Sequence, residues 1–202
     1  MSTEVPRSGY AKGRATREDI LDEAMKLFGE VGYRTASLRE VASRVGISHP
    51  GLMHHFANKA VLLAAVLERR DEIDGLALQA DLDEGLDFFA ALAQVAARNA
   101  SRPGIVELFV NLSAEATAVD HPAHAYFQRR YADLLAHATT AFVELRDDGR
   151  LRAGVDPRIA ARQTIATMDG LQVQWLLEAD GGGERVDMSA ALAALHHSFL
   201  VD

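Results

Sequence analysis

The chain has 202 residues, 49% of them apolar and 25% charged, and no cysteine. Such proportions belong to a folded chain with a proper core, and the missing thiols exclude a disulfide scaffold, a thiolate metal site and a cysteine nucleophile. The net charge of −8 hides a split, with nine basic against seven acidic residues in 1–60 and twelve against twenty-two in 61–202, so a polyanion partner is expected of the head alone.

Residues 1–15, with Pro6, Gly9 and Gly13, read as a flexible basic arm in which Arg7, Lys12 and Arg14 meet no acid after Glu4. A first helix is expected after Thr16, capped by it together with Asp19, with an apolar stripe of Ile20, Ala24, Leu27, Phe28 and Val31 that Gly32 stops. Ser37-Leu-Arg-Glu40 starts a second, short helix with a capping box, and Leu38, Val41, Ala42 and Val45 form its inner face. Gly46-Ile47 makes a tight break. Ser48 caps a third helix with Pro50 in its first turn, and Leu52 and Phe56 face inward.

From Asn58 the elements lengthen. Helices are expected over 59–79, 84–101, a shorter stretch after Pro103, and 122–147. Asp156-Pro157 then starts one that runs to Ala179, Gly181-Gly182-Gly183 makes a joint, and a last helix covers 188–201. The longest apolar run, Ala60–Leu67, is too short to cross a bilayer. A cytoplasmic, all-α protein without a membrane partner is the expectation.

Two short helices joined by a glycine turn fit a helix–turn–helix, whose second helix must present a small or polar outer face to the DNA major groove. Here that face carries His49, Pro50, Gly51, Met53 and His54. Periodicity alone would also allow any three-helix corner.

The run Gly32-Tyr33, Ser37-Leu-Arg-Glu-Val-Ala42, Val45-Gly-Ile-Ser48 and Leu52-Met-His-His-Phe-Ala-Asn-Lys59 with Leu62-Leu63 closely resembles the N-terminal pattern of the TetR-type bacterial transcriptional regulators. A weaker likeness to the ligand-binding and dimerisation part of many members lies in Gly149-Arg-Leu-Arg152, Asp156-Pro157, Ala160-Ala161, Asp169-Gly-Leu171 and Trp175-Leu176. The resemblance implies three units: the arm 1–15, a DNA-binding domain 16–60, and an effector-binding and dimerisation domain 61–202. It implies a homodimeric regulator, a repressor first, that binds a near-palindromic operator in double-stranded DNA and is released by a small, largely apolar effector. It implies no catalytic site, cofactor or metal. Two positions depart from the pattern: Met53 stands where a tyrosine hydroxyl usually meets a phosphate, and Ala36 where threonine is common.

By position, Arg39 matches a base-reading residue whose fork suits the two acceptors of guanine. His49 and Gly51 match base readers, Pro50 suits a thymine methyl, His54 and His55 approach the groove wall, and Lys59 matches a phosphate contact. Arg14 in the arm, and Ser37 and Ser48 at the helix starts, complete the expected DNA-facing set.

For the effector, the aromatic and polar residues of the later helices supply the pocket candidates Phe88, Phe89, Phe109, His121, Tyr126, Phe127, Met168, Gln172 and Trp175. A ligand there is expected to tilt the helix that begins at Lys59. Ile165, Trp175, Met188, Leu192, Leu195 and Phe199 on the last two helices are the expected dimer contacts. His121-Pro-Ala-His124 has a spacing that suits zinc but lacks a third ligand, and the neighbours His54 and His55 point apart on a helix. The alternatives from other classes are a helical enzyme or metal-binding protein using the His121 region, and a helical adaptor whose head binds protein.

Overall fold

Apolar stripes at helical spacing over nearly the whole chain can be buried only helix against helix. The computed structural model describes residues 7–178 and 184–201, with side chains from residue 16 onward. Its described residues form nine helices: α1 (Arg7–Thr35), α2 (Leu38–Val45), α3 (His49–His55), α4 (Lys59–Asp83), α5 (Phe88–Ala100), α6 (Pro103–Glu115), α7 (His124–Asp147), α8 (Pro157–Leu177) and α9 (Met188–Phe199). The all-α class is as expected. An isolated antiparallel bridge, Leu151 with Leu200, ties the α7–α8 loop to the end of α9.

Element bounds differ from the expected ones where a local effect overrides the pattern. Residues 7–15, expected in an arm, are the start of α1, and Thr16 lies inside that helix instead of capping it. Two glycines cost a helix only about 1 kcal/mol each, and the alanine, lysine and arginine around them favour it. Residues 1–6 lie outside the described residues, as do the glycines 181–183. Gly32 takes φ 76° and kinks α1, which continues to Thr35. Val31 consequently faces solvent, and Tyr33 beyond the kink is buried in its stead. The helix expected from Glu84 starts only at Phe88. Gly85, at φ 92°, ends the preceding turn, and the Asp87 carboxylate accepts from the Phe89 and Ala90 amides at 3.0 and 2.9 Å.

One core cluster runs from Ile20, Leu27 and Phe28 of α1 through Val41, Leu52 and Phe56 into Leu62 and Leu63 of α4, then onward to Leu108, Leu112 and Phe127. The head is therefore welded to the body rather than tethered to it. Two contacts fix the weld. Arg69 of α4 pairs with Glu18 at 2.9 Å and Asp22 at 2.6 Å. The second is a close crossing of α1 and α6: a Cβ on Gly29 would stand 3.0 Å from the Gly104 carbonyl oxygen, and Asn111 Nδ2 donates to the Gly29 oxygen at 2.8 Å. Two further clusters, one around Trp175, Met188 and Leu192 and one around Phe142, Ala160 and Phe199, hold α5 and α7 to α8 and α9.

Candidate nucleic-acid interface and effector cavity

Gly46 makes the turn between α2 and α3 in the left-handed region, φ 76° and ψ 29°, where a side chain would be strained. The Ile47 amide donates back to the Ala42 oxygen at 2.9 Å. Ser37 Oγ accepts from the Glu40 amide at 3.2 Å, but only half of the capping box forms, since the Glu40 carboxylate pairs with Arg44 at 3.0 Å instead. Ser48 Oγ accepts from the Gly51 amide at 3.1 Å. With Leu52 and Phe56 buried beneath it, α3 turns Pro50, Met53 and His54 outward, with His49, Gly51 and His55 half-buried beside them.

Arg39 is exposed in the first turn of α2. The acids that might have neutralised it are engaged elsewhere, Glu40 with Arg44 and Glu23 with Lys26. Its fork is free among the described residues. The Arg14 side chain lies outside them. Arg17, which the pattern did not single out, rests its guanidinium 5.1 Å from the centre of the Phe56 ring, at the foot of the recognition helix.

Lys59 corrects an expectation. Its ammonium donates to the carbonyl oxygens of Tyr33 at 2.7 Å, Arg34 at 3.1 Å and Ala36 at 2.8 Å, and it lies 4.5 Å from the centre of the Tyr33 ring. An ammonium has three protons to donate, and all three are spent on the open end of α1. None is left for a phosphate. Burial, the main influence, lowers its pKa. Lys59 thus locks the head of α4 against α1, and its ammonium is engaged there rather than turned outward.

The same junction explains His121. Buried beside Tyr33, with ring centres 5.1 Å apart, it accepts from the Ala123 amide at Nδ1, 3.2 Å, and sets Nε2 3.3 Å from Glu115 Oε2. It is a structural residue between head and body. No group of three or more metal-ligating side chains occurs among the described residues.

Among the helices α4 to α8 lies a cavity of about 450 Å³, within the range usual for small-molecule sites. Of the expected lining, Phe88, Phe109, Met168 and Gln172 are present; Phe89, His121, Tyr126, Phe127 and Trp175 are not. Phe127 and Trp175 are core, with Arg185 stacked on the Trp175 ring at 4.2 Å, and Phe89 packs on Phe142 with centres 4.6 Å apart. Tyr126 instead donates to Asp71 at 2.7 Å. The polar wall comprises residues the sequence reading missed: Arg70, Arg130, Tyr131 and Asp169. Nothing local marks them: Arg70 stands in the charged run Glu68-Arg-Arg-Asp-Glu-Ile-Asp74, which reads as a solvated face.

The expected dimer contacts also divide. Trp175, Met188, Leu192 and Phe199 are buried in the chain's own core, so they offer no surface to a partner. Leu195 is half-buried against that core and Ile165 lines the cavity. What α8 does expose is Ile159, Val173 and Leu177, at 58%, 42% and 77%. With Gln163, Ala166 and Gly170 they fall at alternating spacings of four and three, one continuous face, of which Gly170 and Val173 also border the cavity.

Residues 20–66 match the model for bacterial regulatory proteins of the tetR family, and residues 87–200 that for the BetI-type transcriptional repressor C-terminal region. The A-factor receptor protein of Streptomyces griseus is 27% identical over 94% of this chain, which spans 64% of that relative's length. The transcriptional repressor KstR2 of Rhodococcus jostii is 28% identical over 86% of this chain and 85% of its own. Among solved structures, the SmeT–triclosan complex superimposes with a TM-score of 0.75 at 26% identity over 93% of both chains. SmeT is described as the repressor of the Stenotrophomonas maltophilia multidrug efflux pump SmeDEF.

Proposed function

Because the chain belongs to the tetR family of bacterial regulatory proteins, we propose that it is a dimeric repressor whose two heads grip a near-palindromic operator and let go when a small molecule fills the cavity. The observation that carries the reading is the pairing of an outward α3 face with an unneutralised Arg39, both held on a fully packed core. Such a helix enters the major groove, and an arginine fork reads guanine there. The relatives support the rest: one is named a receptor, another a repressor, and a third is seen bound to triclosan.

Dimerisation rests on the bare α8 face. Its small central residues, Ala166 and Gly170, let a second helix approach closely, and Ile159, Val173 and Leu177 supply the apolar area. One head alone reads too few base pairs to bind tightly, and a two-fold pair reads two half-sites at a fixed spacing.

The test is fluorescence anisotropy with the chain's own upstream DNA over a salt series. Binding that falls steeply with salt is expected, and Arg39→Ala is expected to lose about 1–3 kcal/mol and its preference at one base pair per half-site. Indifference to both DNA and salt would sink the reading. Leu177→Arg is expected to sediment as a monomer that binds DNA weakly.

A further inference from the structure

The polar end of the cavity is a charge cluster built on a deep arginine whose donors are not all satisfied. Arg70, only 5% exposed, lays its guanidinium on the Phe109 ring, 3.5 Å from its centre. Its Nε lies 2.8 Å from Asp74 Oδ2, an ion pair outside hydrogen-bond geometry. Its Nη1 is 3.7 Å from Asp71 Oδ1, is buried, and has no hydrogen-bond partner. Those two aspartates are already shared: Asp74 takes Arg102 at 3.1 Å, and Asp71 takes Arg130 at 2.5 Å and the Tyr126 hydroxyl at 2.7 Å. Three arginines thus share these two carboxylates, with Asp169 as a third acid at the same end of the cavity. A buried guanidinium with an unsatisfied donor is costly, and burial pushes Arg70 down to about 10 even with both acids beside it. The remaining acid, Asp169, stands on the α8 side at an exposed position, accepts from the Tyr131 hydroxyl at 2.8 Å, and is pushed by burial of its carboxyl towards the neutral form.

Resting on the reading of this cavity as an effector site, we infer that it takes a monoanionic amphiphile, its acid group against Arg70 and Arg130 and its apolar body along Phe109 and Met168. A carboxylate offers acceptors for the donors that the aspartates leave unsatisfied and takes two parallel hydrogen bonds from a guanidinium fork. The deep position of Arg70 and the outer position of Asp169 set the direction of entry, acid first. A neutral molecule of the same shape would leave the Arg70 donor without a partner, and a cation would be repelled by Arg70 and Arg130.

Calorimetry on the full chain decides it with three probes of one chain length: octanoate, octanol and octyltrimethylammonium. Octanoate is expected to bind at least tenfold more tightly than octanol, and the ammonium not at all. Arg130→Gln should bring octanoate down to the level of octanol. Octanol equal to octanoate, tighter binding of the cation, or no octanoate binding at millimolar concentration would each overturn the inference without recourse to a variant. 4-Phenylbutyrate carries the same acid on an aromatic body, and whichever acid binds more tightly names the source. Operator release is measured in parallel. Octanoate that binds but leaves the operator in place upholds the ligand class and removes the effector role of the cavity.

Discussion

Head and body are built from the same material, amphipathic helices on an apolar core, and differ in what they leave empty. In the head, Ile20, Leu27, Phe28, Leu52 and Leu62 are wholly buried, and α2, α3 and α4 each start on a capping side chain. In the body, the helices α4 to α8 part around about 450 Å³ and set Arg70, Arg130 and Asp169 in its wall. A head that must present a fixed face to DNA gains from rigidity, whereas a site that admits a molecule must give up packing to do so. The contrast teaches that the two halves should answer differently to the same kind of injury.

The largest expected effect is in the head. Phe28→Ala should lose about 3–5 kcal/mol in denaturant unfolding, because nothing around it can collapse into the void. A loss below about 1 kcal/mol would mean the head is looser than its packing implies.

Next comes acid, which should find the body first. His196 is buried against Phe89 and Phe142 with its Nε2 unpartnered, and burial lowers it to about 4, outweighing the opposite pull of Asp87. Unfolded, it titrates near 6.5, so between these values the unfolded chain holds the extra proton. Its contribution is complete above the upper value and lost as pH falls towards the lower, up to about 3 kcal/mol. His196→Phe should remove that slope from stability measured against pH.

A smaller effect separates a lock from a contact. Lys59→Met orphans carbonyls at the end of α1 and should cost about 1–3 kcal/mol of stability. Operator affinity should drop while its salt slope stays put; a slope shallower by about 0.9 would return Lys59 to the phosphates. Smallest is Met168→Ala on the cavity wall, about 1 kcal/mol, since the side chain already borders open space. An effect as large as that of Phe28→Ala would break the comparison.

The same contrast explains what could be read without coordinates. The α2–turn–α3 unit was legible because its geometry demands particular residues at fixed local spacing: a cap at Ser37, a left-handed glycine at 46, a cap at Ser48, inward Leu52 and Phe56. Lys59 was misread because its partners lie 23 to 26 positions away, at the end of another helix. The cavity failed for the same reason. Arg130 and Asp71 are 59 positions apart, and a search for aromatics finds core phenylalanines as readily as pocket walls. Trp175, Met188 and Leu192 are apolar at helical spacing in either role, and only the packing of α5 and α6 against them decides it.

The close crossing of α1 and α6 has a mechanical consequence. With Gly29 against the Gly104 carbonyl and Asn111 clamped to the Gly29 oxygen, the two helices cannot slide or separate without breaking backbone contact. Helix α6 also carries Phe109, Val110 and Ser113 of the cavity wall. The cavity wall and the head thus share one backbone crossing, and a displacement of α6 is expected to reach α1 directly, without passing through α4.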